Sequence, residues 1–510
     1  MLRLSISKRT SLLLAASALL HVVLSLTLEL SADEAHYALY ALHLDWSYFD
    51  HPPLVGWLQW PFLQAGGSDL ALRIVPMTCW LLTSILLMAL SDQLFPDFTH
   101  TQGLRADIVL FSLSPMLHLL GIALVPDTLL MPLTLAVMLT TWHLCSAHEN
   151  PRLSLWILLG VLLGLTGLAK YTAFLNAVGV LLVLLHRYGP RLMLRAGPWV
   201  AVLVAATIVA PVFIWNSQHD WVSFHYQLNH AAGSNQWRAG SSLRFWCVIW
   251  IAFGVALPVL AWVGWRDRRE LQHSWQGIAP SPIRFSLYFI LPGLLLWLFL
   301  SGRGSTLPHW VTPSVMAALP MAAAGAAMLW SEKSRWPRWL SIGLTIQIAL
   351  LAVIITLLFA GGVQSESEAD INSPPGQTKS ATNPIADLYG WSAGAKRAMQ
   401  LAQQEGVQTL AVANWTLASR IAWYARPMPV KILKNKLSQF DLWFGRPLAG
   451  ERMIVIDWSQ MSRSAPVGPN QFKQCKDLDT LPVIHLGRQL SHFHYWLCDD
   501  WQGASEYPFL

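Results

Sequence analysis

The sequence predicts a polytopic α-helical membrane protein that ends in a small α/β domain. Three observations carry this. Of the 510 residues, 54% are hydrophobic and 12% charged, whereas a soluble domain averages about 25% charged. Eleven stretches reach the roughly 20 mostly apolar residues that a membrane span needs. They lie at approximately 10–30, 70–90, 106–125, 127–147, 153–169, 171–187, 198–215, 242–264, 284–301, 310–330 and 339–360. After about residue 360 the composition turns polar.

The first apolar stretch follows Arg3, Lys8 and Arg9, as a signal peptide would. No small-residue cleavage pattern follows it, and ten more apolar stretches do, so it is read as a retained helix. The next segment, 31–57, crowds Asp33, Glu34, His36, His43, Asp45, Asp50 and His51 into a chain otherwise poor in charge. Ionisable groups beside a span are costly and mark a functional site. Within it AHYALYALHLDW has a near-helical apolar period, which suits an amphipathic helix along the interface. Pro52 and Pro53 stop that helix, and Trp46, Tyr48 and Trp57 suit the interfacial belt.

The loops set the orientation. With the N-terminus inside, the cytoplasmic segments hold fifteen Lys and Arg residues and the opposite loops five: Arg73, Lys170, Arg238, Arg244 and Arg303. This positive-inside bias puts the loops 31–69, 216–241 and 301–309, the junctions 125–127 and 169–171, and everything past 360 on the outer face. The implied domains are 1–360 in the membrane, a Ser/Pro-rich linker at 361–386 and an outer α/β domain at 387–510. In the last, LYGWSAGAKRAMQLAQQ reads as a helix, VQTLAVA as a buried strand and NWTLASRIAWYAR as a helix opened by Asn414. ERMIVIDW reads as a strand, and VIHLGRQ with HFHYWLCDD as a strand pair. Cys79, Cys145 and Cys247 sit in apolar runs, while Cys475 and Cys498 fall where an oxidising compartment allows a disulfide. Net charge is +6, but the basic residues are not clustered as a nucleic-acid partner requires.

The outer face collects acids and bases from separate helices. Asp33 and Glu34 follow the first span, Asp127 sits in VPDTLL and Lys170 in GLAKYTAF. Asp50 and His51 precede the double proline, His219, Asp220 and His225 lie in WNSQHDWVSFHYQL, and Arg303 and His309 in SGRGSTLPHW. Transfer from a sugar phosphate needs a carboxylate for the acceptor's proton and a cation for the leaving phosphate. Asp33, Glu34 and Asp127 are the candidate acids; Lys170, His51 and Arg303 the candidate phosphate ligands. Asp50, His219, Asp220, His225 and His309 are candidates for substrate contact, and Asp50, His51 and His225 for a divalent metal, although their spacing fits no compact metal motif. Each has a plainer role open to it. Asp33 or Asp127 is a possible helix cap and Glu34 a first-turn residue. Lys170 is able to snorkel, Asp50 and His51 to form a turn, and His225 and His309 to sit structurally at the interface.

SADEAHY, FDHPPLVGWL, VPDTLL, GLAKYTAF, WNSQHDWVSFHYQL and TLPHW, in this order over about 31–313, resemble the bacterial members of the dolichyl-phosphate-mannose protein mannosyltransferase family. That group includes the aminoarabinose transferases that modify lipid A. The resemblance implies a C-type glycosyltransferase fold and an inverting transfer from a polyprenyl-phosphate sugar. It places the reaction at the outer face of the inner membrane, with lipid A, another glycan or protein as acceptor. It matches Asp33 to the acidic residue of the first outer loop, Asp127 to the second acidic position and Lys170 to the lysine near the donor phosphate. Asp50-His51 departs from the Glu-Lys of many aminoarabinose transferases. The competing class is a transporter or flippase of a lipid-linked sugar, which explains the spans equally well but not a folded outer domain. The enzyme reading expects Asp33, Asp127 and Lys170 to meet in one external cavity.

Overall fold

A computed structural model describes residues 6–503 apart from 99, 102, 148–150, 233–235, 268–278, 305, 332–337, 364–382, 434–435 and 462–464. Most of the expected linker therefore lies outside the described residues. Each of the eleven apolar stretches is helical. Among the described residues eight helices are long and apolar enough to cross a membrane, and the chain is a multi-pass membrane protein. The remaining three stretches depart from a straight span. Helices α12 (Ala239–Phe253) and α13 (Leu257–Arg266) meet at an 89° bend and make a ninth span if counted as one. Helix α8 (Leu153–Ala169) has 17 residues. The stretch 106–125 is cut into α5 (Ala106–Ser112) and α6 (Pro115–Ile122), because Pro115 disfavours helical backbone in the residue before it.

The chain forms two compact units. The first comprises Met1–Val23, Trp46–Leu58 and Arg73–Ala352. It holds α1 (Lys8–Thr27) up to Val23, α4 (Asp69–Leu94) from Arg73, α5, α6 and α7 (Pro126–Ser146). After α8 it continues through α9 (Phe174–Tyr188), α10 (Ala196–Gln218), α11 (Val222–Ala232), α12, α13, α14 (Pro282–Ser301), α15 (Thr312–Ser331) and most of α16 (Arg338–Ala360). The spans Pro126–Ser146 and Pro308–Trp330 are its core, with 78% and 94% of their apolar windows buried, against 11% for Ala196–Gln218. Small residues let α8 approach α10 closely. A Cβ on Gly160 would come within 2.6 Å of the Ala201 carbonyl, and one on Gly164 within 2.7 Å of the Ile208 Cβ.

Both helix breaks leave backbone groups that a bilayer cannot hydrate. Gln347 of α16, 2% exposed, serves both. Its Oε1 accepts from the Val255 amide at 3.1 Å, in the bend between α12 and α13. Its Nε2 donates to the Leu113 carbonyl at 3.0 Å, in the gap between α5 and α6. Gln347→Leu is therefore expected to destabilise the protein by about 1–3 kcal/mol even though leucine is the more lipid-like residue. Thermal unfolding of the purified protein in detergent measures this, and an unchanged midpoint refutes it.

The second unit comprises Leu24–Asp45, Gln59–Leu72 and Val353–Leu510. Its sheet has five strands: β1 (Leu410–Val412), β2 (Val430–Ile432), β3 (Met453–Trp458), β4 (Phe472–His485) and β5 (Arg488–Trp501). They lie in the order β2-β1-β3-β5-β4. The first three are parallel, and β5 runs antiparallel to β3 and forms a hairpin with β4. Helices α17 (Trp391–Glu405) and α18 (Trp415–Tyr424) match the expected ones, with Asn414 accepting from the Leu417 amide as N-cap. Strand β2 and the short α19 (Gln439–Phe444) are additions. Cys475 and Cys498 stand opposite each other on β4 and β5 and are bonded. Closing a loop of this length contributes on the order of 3 kcal/mol by the chain-entropy argument.

Helix α2 (Ala32–Leu42), in the acidic segment after the first span, belongs to this second unit. The reason is a set of specific bonds. The Glu29 carboxylate accepts from the Trp391 and Ser392 amides at 2.6 and 3.1 Å, at the N-terminus of α17. The Leu30 amide donates to the Tyr424 hydroxyl at 2.9 Å. Asp69 accepts from the Trp423 indole at 3.0 Å and the Tyr424 hydroxyl at 2.5 Å.

Candidate functional site

The first unit brings together three of the expected residues. Asp127 is the second residue of α7, after Pro126 at N1, so its carboxylate stands at the positive end of a buried helix. Lys170 ends α8. Its backbone is extended at φ −159° and ψ 143°, and a 3-10 turn, Tyr171–Ala173, leads on into α9. The ammonium Nζ lies 2.6 Å from Asp127 Oδ2, and both side chains are nearly fully buried. His309 reaches the same oxygen, with Nε2 at 3.5 Å, from the 3-10 turn Pro308–Val311 that opens α15. Trp310, beside it, presents its ring 5.4 Å from Lys170 Nζ.

This geometry removes two plainer roles. Asp127 does not cap α7: the Val125 amide bonds to Thr128 Oγ1 at 3.3 Å instead. Lys170 does not snorkel, being 4% exposed and paired. A buried pair of this kind is weak evidence for stability, because both charges lose their hydration. Asp127 Oδ1 is also buried without a hydrogen-bond partner among the described residues. Such an oxygen is able to accept a hydrogen bond from a bound ligand.

An apolar cavity of about 450 Å³ opens between α12, α13, α14 and α15. Its lining includes Trp246, Trp250, Trp262, Leu291 and Met321, and it extends to Val311, one residue past Trp310. The Trp297 and Trp310 rings have centroids 5.6 Å apart.

The remaining expected residues are placed elsewhere. Asp50 and His51 lie in a loop pinned to α11. Ser223 Oγ donates to the Tyr48 carbonyl at 2.7 Å, and Gln227 Nε2 donates to the Asp50 carbonyl. The Phe49 and Tyr226 rings meet at 4.8 Å. Burial, and secondarily the Asp50 charge, push the Tyr226 phenol up to about 12. His225, on α11, is exposed. Asp50, His51 and His225 do not form a metal site: among the described residues no group of three or more His, Cys, Asp or Glu side chains is arranged to hold an ion. His219 lies flat on Trp215, with centroids 3.9 Å apart, and bonds to the Trp215 carbonyl at 2.8 Å. Asp220 and Trp221 form the left-handed turn into α11, at φ 51° and 55°. The Arg303 guanidinium covers the Phe299 ring at 4.7 Å.

Asp33 and Glu34 belong to the second unit. Ser31, not Asp33, is the N-cap of α2, and Glu34 closes a capping box. Glu34 Oε2 accepts from the Ser31 amide at 3.0 Å, and Ser31 Oγ from the Glu34 amide at 3.4 Å. Asp33 is half-buried in the first turn. Sequence reasoning missed Ser31 and Trp310. Ser31 was legible as the Ser-x-x-Glu pattern in SADE, and Trp310 as an aromatic beside a histidine at a span end.

Residues 50–215 match the family described as dolichyl-phosphate-mannose-protein mannosyltransferase, a segment that contains both Asp127 and Lys170. Two relatives come from Rhizobium johnstonii. The lipid A galacturonosyltransferase RgtD is 24% identical over 64% of this chain and 66% of its own length. The lipopolysaccharide core galacturonosyltransferase RgtA is 28% identical over 61% of this chain and 62% of its own. The chain thus matches just under two thirds of the length of these curated relatives. Crystal structures of ArnT from Cupriavidus metallidurans, in the apo state and bound to undecaprenyl phosphate, superpose with TM-scores of 0.60 and 0.62. Each is 16% identical and covers 95% of this chain and 97% of its own. By its matched segment the chain is similar to the dolichyl-phosphate-mannose-protein mannosyltransferase family, and its fold is that of the ArnT structures.

Proposed function

We propose that the protein is an inverting glycosyltransferase that moves a monosaccharide from a polyprenyl-phosphate donor to lipid A or another envelope glycan. The observation that carries this is the buried Asp127–Lys170 pair, flanked by His309 and Trp310. A donor of this class has an anionic phosphate joined to a long hydrocarbon, and the first unit offers a buried cation close to an apolar cavity. As the sugar–oxygen bond breaks, a second negative charge develops on the phosphate. Lys170 then binds the transition state more strongly than the ground state, which is the condition for rate acceleration. Asp127 holds the ammonium in place, and His309 and Arg303 are assigned to the donor's polar head. Asp33 is assigned the acceptor's proton, and Glu34 the cap that fixes the start of α2.

The names of the Rhizobium relatives make galacturonic acid the first donor sugar to test and lipid A or core oligosaccharide the first acceptors. The proposed location is the bacterial inner membrane, with a cytoplasmic N-terminus and the α/β domain in the periplasm. The excess of fifteen over five basic residues and the Cys475–Cys498 bond support that orientation. The test uses purified protein in detergent, a polyprenyl-phosphate galacturonic acid and lipid A, with mass spectrometry of the acceptor. A glycosylated product without a sealed compartment is the expected result. If membrane vesicles translocate the donor while no product forms in detergent, the protein is a flippase.

A further inference from the structure

Helices α7, α8, α9, α10 and α14 hold one acidic residue between them, Asp127, and it lies at the start of α7. The opposite end of α7 and α8 is basic. It has Arg152, the N-cap of α8, and Arg187 in the last turn of α9. Arg191 lies in the 3-10 turn Gly189–Leu194, and Arg195 follows that turn. Between Asp127 and Asp220 the sequence has one more acid, Glu149, so this stretch sets at most one carboxylate against the four arginines.

Tyr188 gathers two of these cations. Its hydroxyl donates to the Leu144 carbonyl at 3.0 Å, which fixes the ring against the end of α7. The Arg187 guanidinium lies 4.7 Å from the centre of that ring and the Arg195 guanidinium 4.4 Å. Arg187 also donates to the Cys145 and Ala147 carbonyls, at 3.0 and 3.4 Å. Gly197 brings α10 close to α8: a Cβ there would come within 2.3 Å of the Trp156 indole nitrogen, and Trp156 is one turn past Arg152. Two like charges on one half-buried ring repel each other, and an anion shared by both offsets that repulsion. Guanidinium groups match phosphate oxygens in particular.

Beside the arginines the surface is apolar and faces outward. Leu194 is 87% exposed, Trp199 57% and Met193 50%. Only 11% of the apolar window of α10 is buried, so an apolar wall runs on from Arg195 along the span. Cations at one end of such a wall match a lipid with an anionic headgroup, its phosphate at the arginines and its acyl chains along α10. A zwitterionic lipid has the same chains but carries an ammonium that the arginines oppose.

We infer that the corner of α8, α9 and α10 is a binding site for an anionic phospholipid of the phosphatidylglycerol class, with Arg187 and Arg195 holding its phosphate. The site lies at the far end of α7 and α8 from Asp127 and Lys170, and it does not depend on the proposed transfer reaction.

The test is native mass spectrometry of the purified full-length protein in detergent, titrated separately with dioleoyl phosphatidylglycerol and dioleoyl phosphatidylcholine. Wild type should bind its first phosphatidylglycerol roughly 10-fold more tightly than its first phosphatidylcholine. Arg187→Gln combined with Arg195→Gln should weaken phosphatidylglycerol binding by about 30-fold, which is about 1 kcal/mol for each arginine, and leave phosphatidylcholine binding within about twofold. Phosphatidylglycerol should also raise the unfolding midpoint of the wild type and not that of the double variant. Arg187 bonds the end of α7, so if the double variant does not fold, Arg195→Gln alone decides, with an expected loss of about fivefold. Equal affinity of the wild type for the two lipids overturns the inference, as does wild-type phosphatidylglycerol affinity in a folded variant. Polyprenyl phosphate is the third arm: if it displaces phosphatidylglycerol at equal concentration, the corner is a seat for a polyprenyl lipid instead, and the assignment falls.

Discussion

Lys170→Met is expected to abolish sugar transfer, by at least about 1,000-fold, because it removes the charge that the leaving phosphate needs. Methionine fits the space, so the loss is electrostatic rather than steric. The substitution also leaves the Asp127 carboxylate buried with no cation, a situation that costs about 3–5 kcal/mol. Two effects are thus mixed in the single variant, and a second substitution separates them. Asp127→Asn combined with Lys170→Met replaces the ion pair with neutral groups and should recover most of the thermal stability. It should not recover activity. Binding of polyprenyl phosphate, followed by native mass spectrometry, should weaken in parallel. A double variant that regains stability and transfer together would show that the pair is a structural staple. A single variant that still transfers at the wild-type rate would exclude Lys170 from the chemistry.

How far the sequence leads is clear from the same residues. Asp127 and Lys170 are legible because an ion in an apolar run is expensive, and each stands at a break between two helical stretches. What the sequence does not contain is the partner. Lys170 and Asp127 are 43 positions apart, and only the folded chain shows that they neutralise each other and that His309 joins them. The metal candidates fail for the converse reason. Asp50, His51 and His225 have suitable chemistry, but the loop is tied to α11 through the Tyr48 and Asp50 backbone and the Phe49 ring, which uses that contact for docking. The span rule counts apolar residues and so reads 106–125 and 242–264 as continuous. Pro115 marks the first break, and a single glutamine, Gln347, makes both breaks tolerable. Nothing local to either break reveals it. The acidic segment is misjudged in a different way. Its sequence places it beside the first span, whereas Glu29, Leu30 and Asp69 bind it into one unit with α17 and α18, some 350 residues further along the chain.

Asp33→Asn carries the second large expectation: a fall in transfer of about 100- to 10,000-fold, the range that a positioned general base contributes. Asparagine has nearly the same shape, Asp33 is half-buried rather than part of the core, and the cap of α2 belongs to Ser31 and Glu34. Arg420, bonded to Asp387 and stacked on Trp391, keeps both contacts. Thermal unfolding should therefore match the wild type, and donor binding, assigned to Lys170, should persist. Glu34→Ala provides the contrast. It breaks the capping box at a cost of about 1 kcal/mol, and the folded fraction should keep most of its transfer rate. The two neighbours thus separate chemistry from scaffolding: one variant folds fully and does not transfer, the other transfers while it remains folded. If Asp33→Asn instead transfers at the wild-type rate, the proton goes elsewhere, and Asp127 is the carboxylate to test next.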